Sequence, residues 1–250
     1  MSRFAYEINY ELGSLDSQPQ QRSTFLADNL FENDIYEFDI FGTRNINLSL
    51  NNITAGDDAD LRLYQDSNFN GVLDSSDFEV SSSLDFGNND EAINYTASTG
   101  TYFARVNYFS SLGDSTIDYD LDLSADFIGS PSSTIAVKED FGISLYGYAA
   151  AIETDYISSH NTSDTYGVSV VYGETINVSL SGLTSDADLR IIQDYNQNNI
   201  VDYGEDIIYS TNAGSSSEYV SLNQQGDYFV EVYQYSGDTS YFLQFDQYFV

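Results

Sequence analysis

Hydrophobic and polar positions alternate along most of the chain. Tyr36, Phe38 and Ile40 alternate with Glu37 and Asp39; Ile46, Leu48 and Leu50 alternate with Asn47 and Ser49. Tyr102, Ala104 and Val106 alternate with Phe103 and Arg105, and Ile117, Tyr119, Leu121 and Leu123 with Asp118, Asp120 and Asp122. A period of two sends successive side chains to opposite faces. Each run therefore predicts a half-buried antiparallel strand, bounded by turns of Gly, Asn, Asp and Ser. No segment carries a 3.6-residue stripe. Only Ala149-Ala150-Ala151-Ile152 predicts a short helical turn.

The pattern repeats. Asp58-Ala59-Asp60-Leu61-Arg62-Leu63-Tyr64-Gln65-Asp66 returns as Asp186-Ala187-Asp188-Leu189-Arg190-Ile191-Ile192-Gln193-Asp194, with seven of nine positions identical at an offset of 128. Asp34-Ile35-Tyr36 returns as Asp164-Thr165-Tyr166, and Ile46-Asn47-Leu48-Ser49-Leu50 as Ile176-Asn177-Val178-Ser179-Leu180. Gly100-Thr101-Tyr102-Phe103 returns as Gly226-Asp227-Tyr228-Phe229. The order of landmarks is kept. A period this long is a whole domain, not a solenoid unit. Two homologous domains are expected, at 1–129 and 130–250, meeting near Ile128-Gly129-Ser130-Pro131-Ser132-Ser133. With roughly seven or eight short strands in each, the expected class is all-β: two tandem jelly-roll-like antiparallel β-sandwich domains.

Charge narrows the partners. The 250 residues carry 40 Asp and Glu against 7 Lys and Arg, a formal net charge of −33. Such a surface repels phosphate backbones and anionic lipid, which excludes nucleic acid, and it attracts cations. There is no Cys and a single His, His160, so thiolate and multi-His metal centres are excluded. No apolar run approaches the ~20 residues of a membrane span. The start, Met1-Ser2-Arg3-Phe4-Ala5, has no signal-peptide h-region, so a leader removed earlier, another export route or an internal protein all remain open. A chain with 22 Tyr and 16 Phe nonetheless has ample apolar area for two cores.

The chemistry-bearing segments follow the repeated Asp-Ala-Asp-Leu-Arg strands. The first is Asp66-Ser67-Asn68-Phe69-Asn70-Gly71-Val72-Leu73-Asp74-Ser75-Ser76-Asp77; the second is Asp194-Tyr195-Asn196-Gln197-Asn198-Asn199-Ile200-Val201-Asp202-Tyr203-Gly204-Glu205. Oxygen side chains fall at positions 1, 3, 5, 9 and 12 of each, the spacing of an EF-hand-type calcium loop. The expected ligands are Asp66, Asn68, Asn70, the Val72 carbonyl, Asp74 and Asp77, and then Asp194, Asn196, Asn198, the Ile200 carbonyl, Asp202 and Glu205. Position 6 needs a left-handed backbone, which Gly71 adopts freely and Asn199 tolerates. Leu73 and Val201 are expected to anchor the loops to the core. Asp77 is one methylene shorter than Glu205, so the first site is expected to be the weaker. Asn, Asp and Gly are also ordinary turn residues, and one such loop alone binds nothing as often as not. Two diverged copies that keep oxygen donors at the same positions predict about two Ca²⁺ per chain.

Strand, Asp-Ala-Asp-Leu-Arg-Leu, calcium-type loop and then Gly-Thr-Tyr-Phe-Ala-Arg-Val together resemble the bacterial pre-peptidase C-terminal domain. The resemblance spans Asp34 to Leu123 and Asp164 to Phe245. It implies a jelly-roll-like sandwich, similar in fold to collagenase collagen-binding domains and usually appended to secreted proteases or other exported enzymes. It implies a non-catalytic binding, secretion or stability module, some relatives holding calcium. The 250 residues are expected to hold no attached enzyme, a departure from that arrangement.

Other residues add less. His160 sits in a polar stretch and reads as an exposed loop residue. Lys138, the only lysine, reads as a solvated ion pair with Glu139 and Asp140. Arg62 and Arg190 read as structural counter-ions on a sheet face. Tyr108-Phe109 and Tyr233-Gln234-Tyr235 could form an aromatic face for an extracellular protein or polysaccharide. The ending Phe245-Asp246-Gln247-Tyr248-Phe249-Val250 reads as a last strand rather than a secretion tail. The expectation is a monomeric, non-enzymatic, extracellular calcium-binding module. The rival readings are an adhesive or substrate-targeting module for a secreted protease, and a hydrolase.

Overall fold

The structure is a computed structural model that describes residues 7–27, 32–111, 116–141 and 150–249. The chain divides into two compact units, Met1–Phe127 and Ile128–Val250. The first holds β1 (Glu7–Ser14), β2 (Gln20–Ala27), β3 (Asn33–Ile40), β4 (Arg44–Asn51), β5 (Asp58–Gln65), β6 (Phe78–Ser83), β7 (Glu91–Ala97), β8 (Gly100–Ser110) and β9 (Thr116–Phe127). The second holds β10 (Val137–Asp140), β11 (Ala150–Ile157), β12 (Ser163–Val170), β13 (Glu174–Ser181), β14 (Asp186–Ile192), β15 (Asp206–Ser210), β16 (Glu218–Leu222), β17 (Gly226–Ser236) and β18 (Thr239–Phe249).

Each unit is a sandwich of two sheets with the same topology. In the first, a five-stranded sheet β1-β3-β8-β5-β6 faces a four-stranded sheet β2-β9-β4-β7. In the second, β10-β12-β17-β14-β15 faces β11-β18-β13-β16. The alternating positions drive this closure. Tyr36, Phe38, Ile40, Leu61, Leu63, Ala104 and Val106 point inward from one sheet, and Ile46, Leu48, Leu50, Leu121 and Leu123 from the other. Their equivalents, among them Tyr166, Val168, Leu189, Ile191, Val178, Leu180 and Leu243, fill the second core.

The ladders are antiparallel, with two exceptions. The edge strands β1 and β10 pair in parallel with β3 and β12. Ala150–Ile157 is a strand, not a helical turn, paired along its whole length with β18. Ladder bonds override the helical preference of this segment; Ala149 lies outside the described residues. The C-terminal segment also belongs to a strand, since β18 is central and pairs with both β11 and β13.

Candidate metal centre

Each candidate loop joins neighbouring antiparallel strands of a five-stranded sheet: 66–77 joins β5 to β6, and 194–205 joins β14 to β15. The chain is tied down at the loop entrances by Asp66 N–H to the Thr101 carbonyl (3.0 Å) and by Gln193 N–H to the Glu205 carbonyl (2.9 Å). Both loops are therefore presented from a rigid ladder.

The loop backbone wraps the first residue. Asp66 Oδ1 accepts the N–H groups of Phe69 (2.7 Å) and Asn70 (3.3 Å), and its Oδ2 accepts that of Gly71 (2.9 Å). Asp194 does the same with Gln197 (2.7 Å), Asn198 (3.3 Å) and Asn199 (2.9 Å). Position 12 closes the ring. Asp77 accepts from Ser67 N–H (2.9 Å) and Asp74 N–H (2.8 Å); Glu205 accepts from Tyr195 N–H (2.9 Å) and Asp202 N–H (2.8 Å). The carbonyl oxygens of Asn70 and Asn198 accept Val72 N–H (2.8 Å) and Ile200 N–H (3.0 Å). The amide nitrogens of Asn68 and Asn70 converge on Asp74 Oδ2, and those of Asn196 and Asn198 on Asp202 Oδ2. Hydrogen bonds from Ser76 N–H first, then from the Asn70 amide, hold the Asp74 carboxyl below the usual carboxylate range.

Position 6 is left-handed in both loops, with φ of 69° at Gly71 and 58° at Asn199. Position 4 is left-handed as well, at Phe69 (60°) and Gln197 (58°), which nothing in those residue types announces. That conformation costs a non-glycine residue roughly 1–2 kcal/mol. The charge-assisted bond from its N–H to Asp66 or Asp194 offsets the cost. The same strained positions in two diverged loops mark a shape that is kept, and strain of this kind clusters at functional sites.

The donor set is all oxygen, the hard chemistry that suits Ca²⁺. The carboxylates themselves do not converge. Among the described residues, no three His, Asp or Glu side chains gather closely enough to hold a metal ion. The hydrogen bonds show why. Backbone N–H groups hold two carboxylates of each loop, and Asn amides surround the third. A cation here would be met by main-chain and Asn carbonyls as much as by carboxylates, once those amides turn oxygen-inward. A carboxylate oxygen that accepts one or two N–H groups keeps lone-pair capacity for a cation.

The two loops differ in their surroundings. Ile200 forms an antiparallel bridge with Thr134, flanked by Ile135 N–H to the Asn199 carbonyl (2.8 Å) and Val201 N–H to the Ser133 carbonyl (3.1 Å). In such a bridge the N–H and C=O of Ile200 point away from Thr134. The N–H is used inside the loop by Asn198, and so the carbonyl also faces the loop. The equivalent Val72 is 59% exposed. Leu73 and Val201 are half-buried, and neither belongs to a core cluster, so they do not anchor the loops as expected.

The segment that clamps the second loop is itself held by Arg190. This arginine is 3% exposed and donates to Glu231 (2.6 Å), Asp206 (2.8 Å) and the Ser132 carbonyl (2.5 Å). Ser132 N–H completes the network on Glu231 (2.9 Å). Arg62, its counterpart, is more exposed and pairs with Glu79 (3.0 Å). Both arginines are thus counter-ions on a sheet face, as the sequence suggested.

A second constellation was legible only as a repeated landmark. Tyr36 donates to Tyr119 (2.7 Å), which donates to buried Asp34; Tyr166 donates to Tyr241 (2.7 Å), which donates to Asp164 (2.6 Å). Burial, opposed by the Tyr119 hydrogen bond, lifts Asp34 to about 6. Asp34 Oδ1 has no hydrogen-bond partner, whereas Asp164 Oδ1 takes Asn161 (3.0 Å) and Lys138 (2.9 Å). Lys138 thus bridges Asp155 and Asp164; the side chains of Glu139 and Asp140, the partners expected from sequence, lie outside what the structure describes. His160 is exposed in a turn. Of the aromatics set aside for an outward face, Tyr233 is buried and Tyr108 packs against the core; Phe109 and Tyr235 stand in solvent.

No helix among the described residues is long and apolar enough to cross a membrane. No curated protein matches the chain. The structure resembles the pre-peptidase C-terminal domain of a collagenase from Bacillus anthracis, at 21% identity over 48% of this chain and 95% of that one, with a TM-score of 0.32. It also resembles a periplasmic inhibitor of g-type lysozyme from Aeromonas hydrophila, at 18% identity over 45% of this chain and 97% of that one, with a TM-score of 0.33. The family profile of the bacterial pre-peptidase C-terminal domain matches residues 32–107 and again 162–234, more than half of the chain. With two copies of this non-catalytic β-sandwich module in tandem, the chain belongs to the bacterial pre-peptidase C-terminal domain family.

Proposed function

We propose that the chain is a non-enzymatic, calcium-stabilised pair of modules that works outside the cell, alone or alongside an exported enzyme. The observation that carries this reading is the duplicated loop. Two segments with different intervening residues adopt one hydrogen-bond pattern, with oxygen donors at the same five side-chain positions. Ca²⁺, when bound, supplies a charge that draws six to eight oxygens together and offsets the repulsion among nearby carboxylates. Asp66 and Asp77, with Asp194 and Glu205, hold the loop ends. Asn68, Asn70, Asn196 and Asn198 would turn their carbonyls inward, and Val72 and Ile200 would add main-chain carbonyls. Two or three carboxylates per site fit the weak, extracellular class of affinity, about 10⁻⁴–10⁻³ M.

Thermal melting tests the reading. At 10 mM CaCl₂ such a site adds about 1.4–2.7 kcal/mol to its domain, a rise of roughly 5–10 °C. A chelator should reverse the rise, and the double variant Asp66→Ala, Asp194→Ala should abolish it. A melting temperature indifferent to calcium at constant ionic strength would remove the proposal.

A further inference from the structure

The second domain has a cavity of about 260 Å³ beside its loop, between the start of 194–205, β15 and the turn from β16 to β17. Tyr195 and Tyr228 form aromatic walls, Ile207, Ile208 and Leu222 supply apolar surface, and Gln193, Asn223 and Gln224 supply amides. No lining residue is charged, in a chain with 40 acidic residues.

Each wall is held in place. Tyr228 is buried and donates its hydroxyl to the Gln224 carbonyl (2.9 Å), which fixes both the ring and the turn. Tyr195 is held through its backbone, by the N–H bond to Glu205, while its ring is 65% exposed. Gly226 makes room for the Gln193 amide: a Cβ there would lie 2.7 Å from Gln193 Nε2. In the first domain the corresponding places hold Ser67 for Tyr195, Ala97 for Asn223 and Ser98 for Gln224, so one ring and two amides are missing.

We propose that this cavity binds a neutral sugar unit of a polysaccharide. The chemistry selects that class. Primary amides offer both donors and acceptors, which a ligand covered in hydroxyls needs. Tyrosine rings offer apolar faces to the C–H side of a pyranose, with a hydroxyl at the rim. A lining without charge has no counter-ion for an anionic or cationic ligand. The volume falls just below the ~300–1,000 Å³ of pockets for drug-sized ligands, so the occupant is one ring with its neighbours in solvent. The cavity shares Tyr195 with the loop, but none of its lining residues is an expected calcium ligand.

The test is saturation-transfer NMR on the full chain with cellohexaose, xylohexaose, mannohexaose and chitohexaose, and with oligogalacturonate as an anionic control. At least one neutral oligosaccharide should bind, and oligogalacturonate should not. Tyr195→Ser and Gln224→Ser place the first domain's residues in the cavity and leave the core untouched. Each should weaken binding by about tenfold, roughly one lost stacking or hydrogen-bonding contact. A Ser67→Ala control in the first domain should change nothing. Absence of binding by all four neutral probes, equal binding of the anionic one, or binding unchanged in both second-domain variants would overturn the proposal.

Discussion

The loops 66–77 and 194–205 make the same internal hydrogen bonds from different sequences, but among the described residues only the second is held from outside, by a bridge to Thr134. The first carries its sharp turn on Gly71 and ends in Asp77; the second carries it on Asn199 and ends in Glu205. A loop whose backbone is pre-arranged loses less entropy when it closes on an ion. The longer Glu205 side chain and the bridge therefore both favour the second loop. Position-by-position reading of the sequence reveals the first of these advantages and misses the second.

The bridge rests on Arg190, and removing Arg190 should have the largest effect. Arg190→Ala leaves Glu231 buried without its counter-charge, a loss of about 3–5 kcal/mol in denaturant unfolding of the second domain. Arg62→Ala, at the half-exposed equivalent, should cost at most about 1 kcal/mol. Comparable losses at the two arginines would break the distinction between a clamped and an open loop. Next in size, Asp194→Ala should remove the calcium-dependent rise in melting temperature of the second domain alone, and Asp66→Ala that of the first. Loss of both rises from either single variant would mean that the loops do not act separately.

Position 12 gives a smaller effect. Asp77→Glu should strengthen the first site and Glu205→Asp weaken the second, each about three- to tenfold in calcium titrations, bringing the two affinities together. Position 8 isolates the bridge. Val201→Pro removes the N–H that reaches Ser133, so it should weaken the second site several-fold more than Leu73→Pro weakens the first. Equal weakening would assign the asymmetry to residue 12 alone.

Acidity separates the two domains more gently. Burial first, then nearby Asp85, pushes Glu91 up to about 8, and burial lifts Asp34 to about 6; both lie in the first domain. In the second, burial and then Asp186 raise Asp188 to about 6. A raised carboxylate pKa means that the folded state binds protons more tightly than the unfolded chain, where these groups titrate near 4. Stability therefore rises as pH falls from about 8 towards 4, and it is lost in the other direction. Melting in calcium-free buffer should show the first domain gaining from pH 8, and the second only below about pH 7. Identical profiles would contradict the assignment to Glu91.

The alternating strands were legible because a period of two with aromatic and β-branched inward positions has few other solutions. The tandem division was legible because landmarks such as Asp34-Ile35-Tyr36 and Asp164-Thr165-Tyr166 recur in order. Contacts between distant segments were not. Lys138 pairs with residues 17 and 26 positions away, which its surroundings in the sequence do not announce. The parallel edges β1 and β10 depend on which strand lies beside them, and alternation does not encode that. Position 6 of each loop could be read from its tolerance of left-handed backbone. Position 4 could not, because Phe69 and Gln197 are driven there by the bonds to Asp66 and Asp194.

The most direct test of the account is isothermal titration of the chelated full chain with Ca²⁺ at fixed ionic strength. Two sites per chain are expected, the tighter removed by Asp194→Ala and the weaker by Asp66→Ala. No binding heat, or a heat that persists in the double variant, would contradict it.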